Sequence, residues 1–169
     1  LRLVGSEMCI RDRYILRKVP YDFEYADIQA GIGTPHAVYA EFTADETLLV
    51  RAEAQALLGH YAEALNDLNT ELAAFSKDGV QLTLDDVKKF YSDDVTAYYT
   101  PEKPTPRKAF HTAFAISKDT EEPMLQCILH LRRIMTIHEG LRMQDVKRYG
   151  ITIYRRDVKS NYKLSLIHI

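Results

Sequence analysis

The stretch ILHLRRIMTIHEGLRMQDVKRYG, from Ile128 to Gly150, joins an apolar helical stripe to a dense set of charged side chains. The apolar residues that recur at helical spacing are Met124, Ile128, Leu131 and Met135. This spacing predicts a helix that starts near Pro123 and buries one face. Gly140 is predicted to interrupt or kink this helix. A last helix is then expected from Leu141 to Tyr149, with Gly150 ending it.

The charged residues of this stretch have two interpretations. They are Arg132, Arg133, Glu139, Arg142, Asp145, Lys147 and Arg148. Either they bind a ligand, or they form internal ion pairs that lock the last helices against the rest of the protein. We favour the ion pairs, because Arg142 and Asp145 are three residues apart and so lie on one helix face, where opposite charges pair. Removing one partner of a buried pair should then unfold the protein, not abolish binding alone.

Two further helices are predicted upstream of this stretch. Thr43 and Glu46 form a capping box, which marks the start of a helix. Gly59 ends this helix, and the second one begins at Tyr61. The residues at buried helical spacing are Leu48, Leu49, Ala52 and Ala56 in the first helix and Leu65, Leu68, Leu72 and Phe75 in the second.

The segment LLGHYAEALNDL, from Leu57 to Leu68, resembles the turn and second helix of a tetratricopeptide repeat. Gly59 permits the tight turn, and Tyr61 packs into it. The small side chains of Ala52 and Ala64 let the two helices approach closely. This resemblance predicts one repeat-like helix pair over residues 44 to 75.

The resemblance to the repeat is partial. Glu71 and Ser76 stand where the repeat usually has a small residue and a proline. One such unit cannot bury its own apolar face, so its neighbours are expected elsewhere in the intact protein.

Three other parts of the chain complete the predicted fold. A helix should run from Thr83 to about Tyr91. Ser92 to Ala115 contains three prolines and is predicted to be a long surface connection. Tyr14 to Phe42 is predicted to be irregular, with a short extended piece after His36. The predicted fold class is therefore mostly α, with tetratricopeptide-like helix pairs and long irregular connections.

Both ends of the sequence match translated sequencing adapter. The codons GAG ATG TGT ATA AGA GAC specify Glu7 to Asp12, and the reverse complement of this DNA with its next bases specifies Leu164 to Ile169. This DNA is the transposase end sequence used in sequencing-library preparation. We therefore expect residues 1–13 and 164–169 to be artefacts, and residues 14–163 to be a partial helical domain.

The composition excludes several classes of protein. The formal net charge of −2, with basic residues scattered along the chain, argues against a nucleic-acid interface. No apolar run approaches the roughly 20 residues of a membrane helix. A segment of this length can bury one sizeable core.

A metal site is the catalytic arrangement for which the sequence offers candidate residues. Cys127 and His130 are one helical turn apart, and His138 is two turns further on, but two ligands and a distant third are too few. His111 has no recognisable partner residue. The motifs of zinc proteases, serine hydrolases and nucleotide-binding loops do not occur in the sequence. We therefore predict no catalytic residues, no metal and no cofactor.

The order Arg132-Arg133, Glu139-Gly140-x-Arg142 and Asp145-x-Lys147-Arg148-x-Gly150 resembles the C-terminal signature of the SusD/RagB family of outer-membrane nutrient-binding lipoproteins. The resemblance covers most of the chain from Phe42 to Gly150. It implies a scaffold of tetratricopeptide-like helix pairs, to which these signature positions and Gly59 and Tyr61 belong.

The family resemblance also implies a function. The intact protein would capture oligosaccharides or peptides at the cell surface and close over a SusC-like, TonB-dependent transporter in the outer membrane. It would have no enzymatic activity and would be attached by a lipid anchor outside this segment. In the family, ligand contacts come largely from loops and from the N-terminal part.

The ligand-binding residues proposed within this segment are aromatic. Tyr98 and Tyr99 lead into the proline-rich connection and are the candidates for stacking on sugar rings, against the alternative that they anchor the loop. The alternating triplet Tyr21, Phe23 and Tyr25 is a weaker candidate. Two rival functions stay open: a tetratricopeptide adaptor that binds a peptide, and a helical metalloprotein.

Overall fold

The computed structural model describes residues 22–37, 40, 42–76, 79–91, 95–96, 105–137, 139–157 and 163–167. The chain divides into two compact units, Leu1–Thr43 and Ala44–Ile169. The described residues are mostly helical, with five helices in the second unit and three two-stranded antiparallel sheets. No helix within these residues is both long and apolar enough to span a membrane.

The first unit contains a hairpin of two antiparallel strands, β1 (Asp22–Asp27) and β2 (Ile32–His36). Oδ1 of Asp27 accepts hydrogen bonds from two backbone N–H groups of the turn, at 2.9 Å and 3.1 Å. Gly31 follows with φ 66°, a left-handed conformation that glycine adopts without strain. The hairpin is thus closed by local turn chemistry.

The prediction of irregular structure from Tyr14 to Phe42 is wrong for this hairpin. Phe23 and Tyr25 alternate along β1, and their rings meet edge to face at 4.8 Å. Such an alternation is typical of a strand. It is a weak signal here, because every residue of β1 is exposed and the strand has no buried apolar face opposite a polar one.

In the second unit, helix α1 (Ala44–Leu57) and helix α2 (Tyr61–Phe75) form a helical hairpin with the predicted boundaries. Gly59 in the connection has φ 79°. The side chains of Ala52 and Ala64 are completely buried, as expected for residues that let two helices approach closely.

Helix α3 (Leu84–Tyr91) starts where the sequence predicts. The hydroxyl of Thr83 donates to Oδ2 of Asp86 at 2.6 Å and accepts from the Asp86 backbone N–H at 3.2 Å. The side chain of Asn69 in α2 donates to the Leu82 carbonyl at 3.0 Å and accepts from the Leu82 N–H at 2.7 Å. These bonds fix the start of α3 against α2.

Helix α4 (Glu121–Met135) forms the centre of the core. Eight consecutive residues, from Glu122 to Leu129, are buried, and α4 packs against α1, α2, α3 and α5. The sequence predicted that one apolar stripe of this helix is buried. The buried surface is wider than that stripe, because other elements surround the first half of the helix. The helix ends at Met135, before Gly140, and the Thr136 hydroxyl donates to the Arg132 carbonyl at 2.8 Å.

Helix α5 (Arg142–Tyr149) ends at Gly150 in a left-handed conformation, as predicted. A strand pair follows it, in which Ile153–Asp157 is antiparallel to Lys163–Ile167. Most of this last strand consists of residues that the coding argument assigns to adapter. That assignment stays a prediction, as does the one for residues 1–13.

The connection from Ser92 to Ala115, predicted to lie on the surface, does so only in part. Val95–Thr96 pairs with Thr105–Pro106 in a short antiparallel ladder. The chain after this ladder is half-buried and bonds to the helices, with the His111 N–H donating to the Tyr149 carbonyl at 2.8 Å. Phe110 packs on Tyr149 with ring centroids 5.1 Å apart. Prolines here exclude a helix but do not prevent packing.

Candidate functional site

The signature charges meet in the interior at Arg132 of α4. Its Nη2 lies 2.5 Å from Oε2 of Glu53 in α1, and its Nη1 lies 2.9 Å from Oδ1 of Asp145 in α5. Nη2 also lies 3.3 Å from the carbonyl oxygen of Leu49. One guanidinium therefore connects three helices, and planar N–H donors suit this bridging of two carboxylates.

Each carboxylate has a second set of partners. Oε1 of Glu53 accepts a hydrogen bond from the Tyr149 hydroxyl at 2.5 Å and lies 3.2 Å from Nε of Arg148. Oδ2 of Asp145 lies 3.6 Å from Nη1 of Arg142, the i, i+3 pair that the sequence predicts. We call these six residues the Arg132 network: Glu53, Arg132, Arg142, Asp145, Arg148 and Tyr149.

The environment of the network suits a structural role. The side chains of Arg132, Glu53 and Asp145 are only 11%, 8% and 7% exposed. Burial, followed by the hydrogen bond to Glu53, raises the pKa of Tyr149, so its phenol stays protonated and donates. The hydrogen bonds at the centre join these groups to one another, but Oδ2 of Asp145 is buried without a hydrogen bond among the described residues and has Nη1 of Arg142 at 3.6 Å. Such an arrangement holds helices together and leaves little access for a ligand.

The other signature residues lie outside the centre of the network. Glu139 is exposed in the connection between α4 and α5, and Gly140 beside it has φ 78°. Arg133 lines a separate small cavity. Tyr61 is half-buried against the core. Tyr98 and Tyr99 lie outside the described residues.

Two members of the network were missed from the sequence, Glu53 and Tyr149. Glu53 lies on the same helix face as Leu49 and Ala56, four residues after one and three before the other. An acidic residue at a buried helical position was the available signal, because a buried carboxylate requires a partner. Its partner could not be identified, since Arg132 is 79 positions away in the sequence.

A larger, mainly apolar cavity of about 610 Å³ lies among α2, α3 and α4. Its polar side includes Tyr91, Cys127 and His130, with the Tyr91 hydroxyl 2.8 Å from Nδ1 of His130. Burial raises the pKa of the Cys127 thiol to about 12. Burial, followed by the nearby Arg133, lowers the pKa of His130 to about 4. At neutral pH Cys127 is thus a thiol and His130 is a neutral imidazole. The two residues do not form a thiolate nucleophile with its base.

Among the described residues, no three His, Cys, Asp or Glu side chains are grouped to hold a metal ion. His138, the third ligand of the metalloprotein hypothesis, lies outside these residues. His111, for which the sequence suggests no partner residue, has its Nε2 3.2 Å from the hydroxyl of Thr152. We expect the purified chain to contain no stoichiometric zinc. Stoichiometric zinc in a metal analysis would support the metalloprotein hypothesis.

The raised thiol pKa predicts that Cys127 is unreactive in the folded protein. In a Cys9→Ser variant, which leaves Cys127 as the single thiol, we expect a disulfide-exchange reagent at pH 8 to label less than a tenth of the protein. The same reagent should label it fully in denaturant, because exposure restores a thiol pKa of about 8.5. Rapid labelling without denaturant would contradict the burial of Cys127.

Glu71 of α2 is a buried carboxylate outside the network. The residue is 3% exposed, and its Oε1 has no hydrogen-bond partner within the described part of the chain. Burial, followed by the charge of Asp45, raises the pKa of Glu71 to about 6. Because the folded-state pKa is above the unfolded one, the contribution of Glu71 to stability should be greatest below about pH 4 and be lost as pH rises through 6.

Replacing Glu71 with glutamine should therefore stabilise the protein at neutral pH. We expect the free energy of unfolding to rise by about 1–2 kcal/mol at pH 7 relative to the parent, because the buried charge is gone. Near pH 4 the two proteins should be about equally stable. Urea unfolding at both pH values measures this, and a variant effect that does not change with pH would contradict it.

The comparisons with known proteins identify no relative: no family model, no curated protein and no solved structure matches the chain.

Proposed function

We propose that this chain is part of the helical scaffold of a SusD/RagB-like nutrient-binding protein. The observation that carries the proposal is the bridge from Arg132 to Glu53 and Asp145. Glu53 belongs to the repeat-like helix pair, whereas Arg132 and Asp145 belong to the C-terminal signature. Two motifs that are far apart in sequence are thus joined by one buried guanidinium, as expected if they belong to one scaffold.

The helix pair α1–α2 supports the finer part of the proposal, a tetratricopeptide-like unit. Its two helices are 14 and 15 residues long and are joined by a short turn that includes Gly59. The alanines Ala52, Ala56 and Ala64 are completely buried. Glu71 is the main departure, since it is a buried carboxylate where the repeat usually has a small residue.

In this proposal the intact protein captures oligosaccharides or peptides at the outer face of the outer membrane. It is held there by a lipid anchor and delivers its ligand to a SusC-like, TonB-dependent transporter. The segment described here supplies rigidity and no chemistry of its own. Tyr98 and Tyr99 are the proposed aromatic contacts to the ligand within this segment.

The test is to recover the complete gene from the source DNA and produce the whole protein. We expect a lipoprotein signal upstream of Tyr14, a neighbouring transporter gene, and copurification of the two products. Calorimetry with a panel of oligosaccharides and peptides should then reveal a ligand. An open reading frame that starts near Tyr14, with no transporter copurifying, would contradict the proposal.

A tetratricopeptide adaptor is the second candidate, and one feature favours it. A polar cavity of about 470 Å³ on the α1–α2 pair is lined by Arg51, Gln55, Glu63, Asn66 and Asp67. Polar side chains on a repeat surface can hold an extended peptide. The complete gene also separates the two candidates, because an adaptor requires further repeats at a spacing of about 34 residues.

A further inference from the structure

The apolar cavity among α2, α3 and α4 has a buried floor and an exposed mouth. Val87, Tyr91 and Cys127 form the floor, and all three belong to the hydrophobic core. Val80 and Phe90 lie at the mouth, where they are 47% and 44% exposed. Large apolar side chains are therefore exposed at the entrance of a cavity that reaches down to the core.

The volume of this cavity suits a small molecule. It is about 610 Å³, within the range of roughly 300–1,000 Å³ that is usual for small-molecule sites in proteins. Two turns of helix, as a cylinder about 10 Å wide and 11 Å long, would occupy about 850 Å³. A helix of a partner protein or of a second copy could therefore not be enclosed here, whereas a molecule of two or three rings could be.

The wall of the cavity offers little charge to a ligand. On the floor, the Tyr91 hydroxyl lies 2.8 Å from Nδ1 of His130, and burial keeps the pKa of His130 at about 4, so this imidazole is neutral at pH 7. On the exposed rim, Asp86 and Lys89 have opposite charges. Asp86 also accepts a hydrogen bond from the Thr83 hydroxyl. A charged ligand would lose its water shell here without gaining an opposite charge on the floor, which is costly.

We propose that this cavity binds an uncharged, apolar small molecule of the size of two or three aromatic rings. The ligand would pack between Leu72 of α2, Phe90 of α3 and Leu131 of α4, and would cover apolar surface that is otherwise open to solvent. The hydrogen bond between Tyr91 and His130 would stay intact, because an apolar ligand does not compete for it. This site is independent of the proposed nutrient-binding function.

The test uses two fluorescent probes that share one ring system. N-phenyl-1-naphthylamine is uncharged, and 8-anilinonaphthalene-1-sulfonate has the same rings with a sulfonate added. Fluorescence titration of the full chain at pH 7 should show saturable binding of the uncharged probe to one site, at least about tenfold tighter than binding of the sulfonate. Equal affinities would overturn the proposal, because an open apolar surface does not distinguish the two probes. A lack of saturable binding would overturn it as well.

The variant Val80→Trp should place an indole ring in the mouth and weaken binding of the uncharged probe by at least about tenfold. Val50→Trp is the matched control, because this valine of α1 is 56% exposed and does not line the cavity, so binding should be unchanged. Phe90→Ala removes part of the apolar wall, should also weaken binding, and serves if Val80→Trp does not fold.

Equal affinities of the parent, Val80→Trp and Phe90→Ala for the uncharged probe would overturn the proposal. Sedimentation of the parent over a range of concentrations tests a different occupant. A dimer that forms with rising concentration and is abolished by Val80→Trp would also overturn the proposal, because a second copy of the chain would then cover the cavity.

Discussion

Replacing Arg132 with alanine is expected to lower the free energy of unfolding by about 3–5 kcal/mol. The change would leave the carboxylates of Glu53 and Asp145 buried without the guanidinium that bridges them. A buried charge without its partner is far more costly than the pair was favourable. Urea unfolding followed by circular dichroism measures this loss, and the unfolding midpoint should fall without a large change in the denaturant slope.

The control for this prediction is Lys88→Ala. Nζ of Lys88 lies 3.5 Å from Oδ2 of Asp119, and the Asp119 side chain is 85% exposed. Exposed ion pairs contribute little to stability. We expect the loss for Lys88→Ala to be several times smaller than that for Arg132→Ala. Similar losses for the two variants would mean that the Arg132 network is not buried as described.

Replacing Gly150 with alanine is expected to destabilise the protein by about 2–5 kcal/mol. Gly150 has φ 55°, and a left-handed backbone costs a residue with a side chain about 1–2 kcal/mol. A Cβ at this position would also collide with the backbone carbonyl of His111. Because that backbone is held to α5 by the bond from the His111 N–H to the Tyr149 carbonyl, it cannot move aside without breaking the contact.

Gly59→Ala separates these two contributions. Gly59 has a similar positive φ of 79°, but a Cβ there would meet no atom within 4 Å. The alanine variant at Gly59 should show only the conformational cost, about 1–2 kcal/mol. Thermal or urea unfolding of both variants gives the difference. Equal losses at the two glycines would show that the backbone of His111 does not pack against the end of α5.

The boundaries of the helices were predictable because local chemistry sets them. Thr43 with Glu46 is a capping-box pattern in the sequence, Thr83 and Asp86 bond to each other within one turn, and helices begin directly after each threonine. Gly150 ends α5 in the left-handed conformation that the glycine suggested. Each of these signals acts over three or four residues, so it can be recognised without knowledge of the tertiary structure.

The hairpin of β1 and β2 was missed for a different reason. Its residues are almost all exposed, so the alternation that normally marks a strand had no apolar and polar faces to separate. The packing of Phe110 on Tyr149 was missed because the prolines before it were taken to indicate surface structure throughout. A proline determines which backbone conformations are possible, but not whether the following side chains are buried.

The sequence by itself determined the helical class, the ends of the main helices and the pair between Arg142 and Asp145, since these depend on neighbours within one or two turns. Only the tertiary structure decided that α4 is surrounded by other elements and that Arg132 binds Glu53. It also placed Tyr149 against Glu53, which is 96 positions away. The physical reason is that local periodicity marks which face of a helix is buried, whereas the partner of a buried charge depends on which distant helix packs against that face.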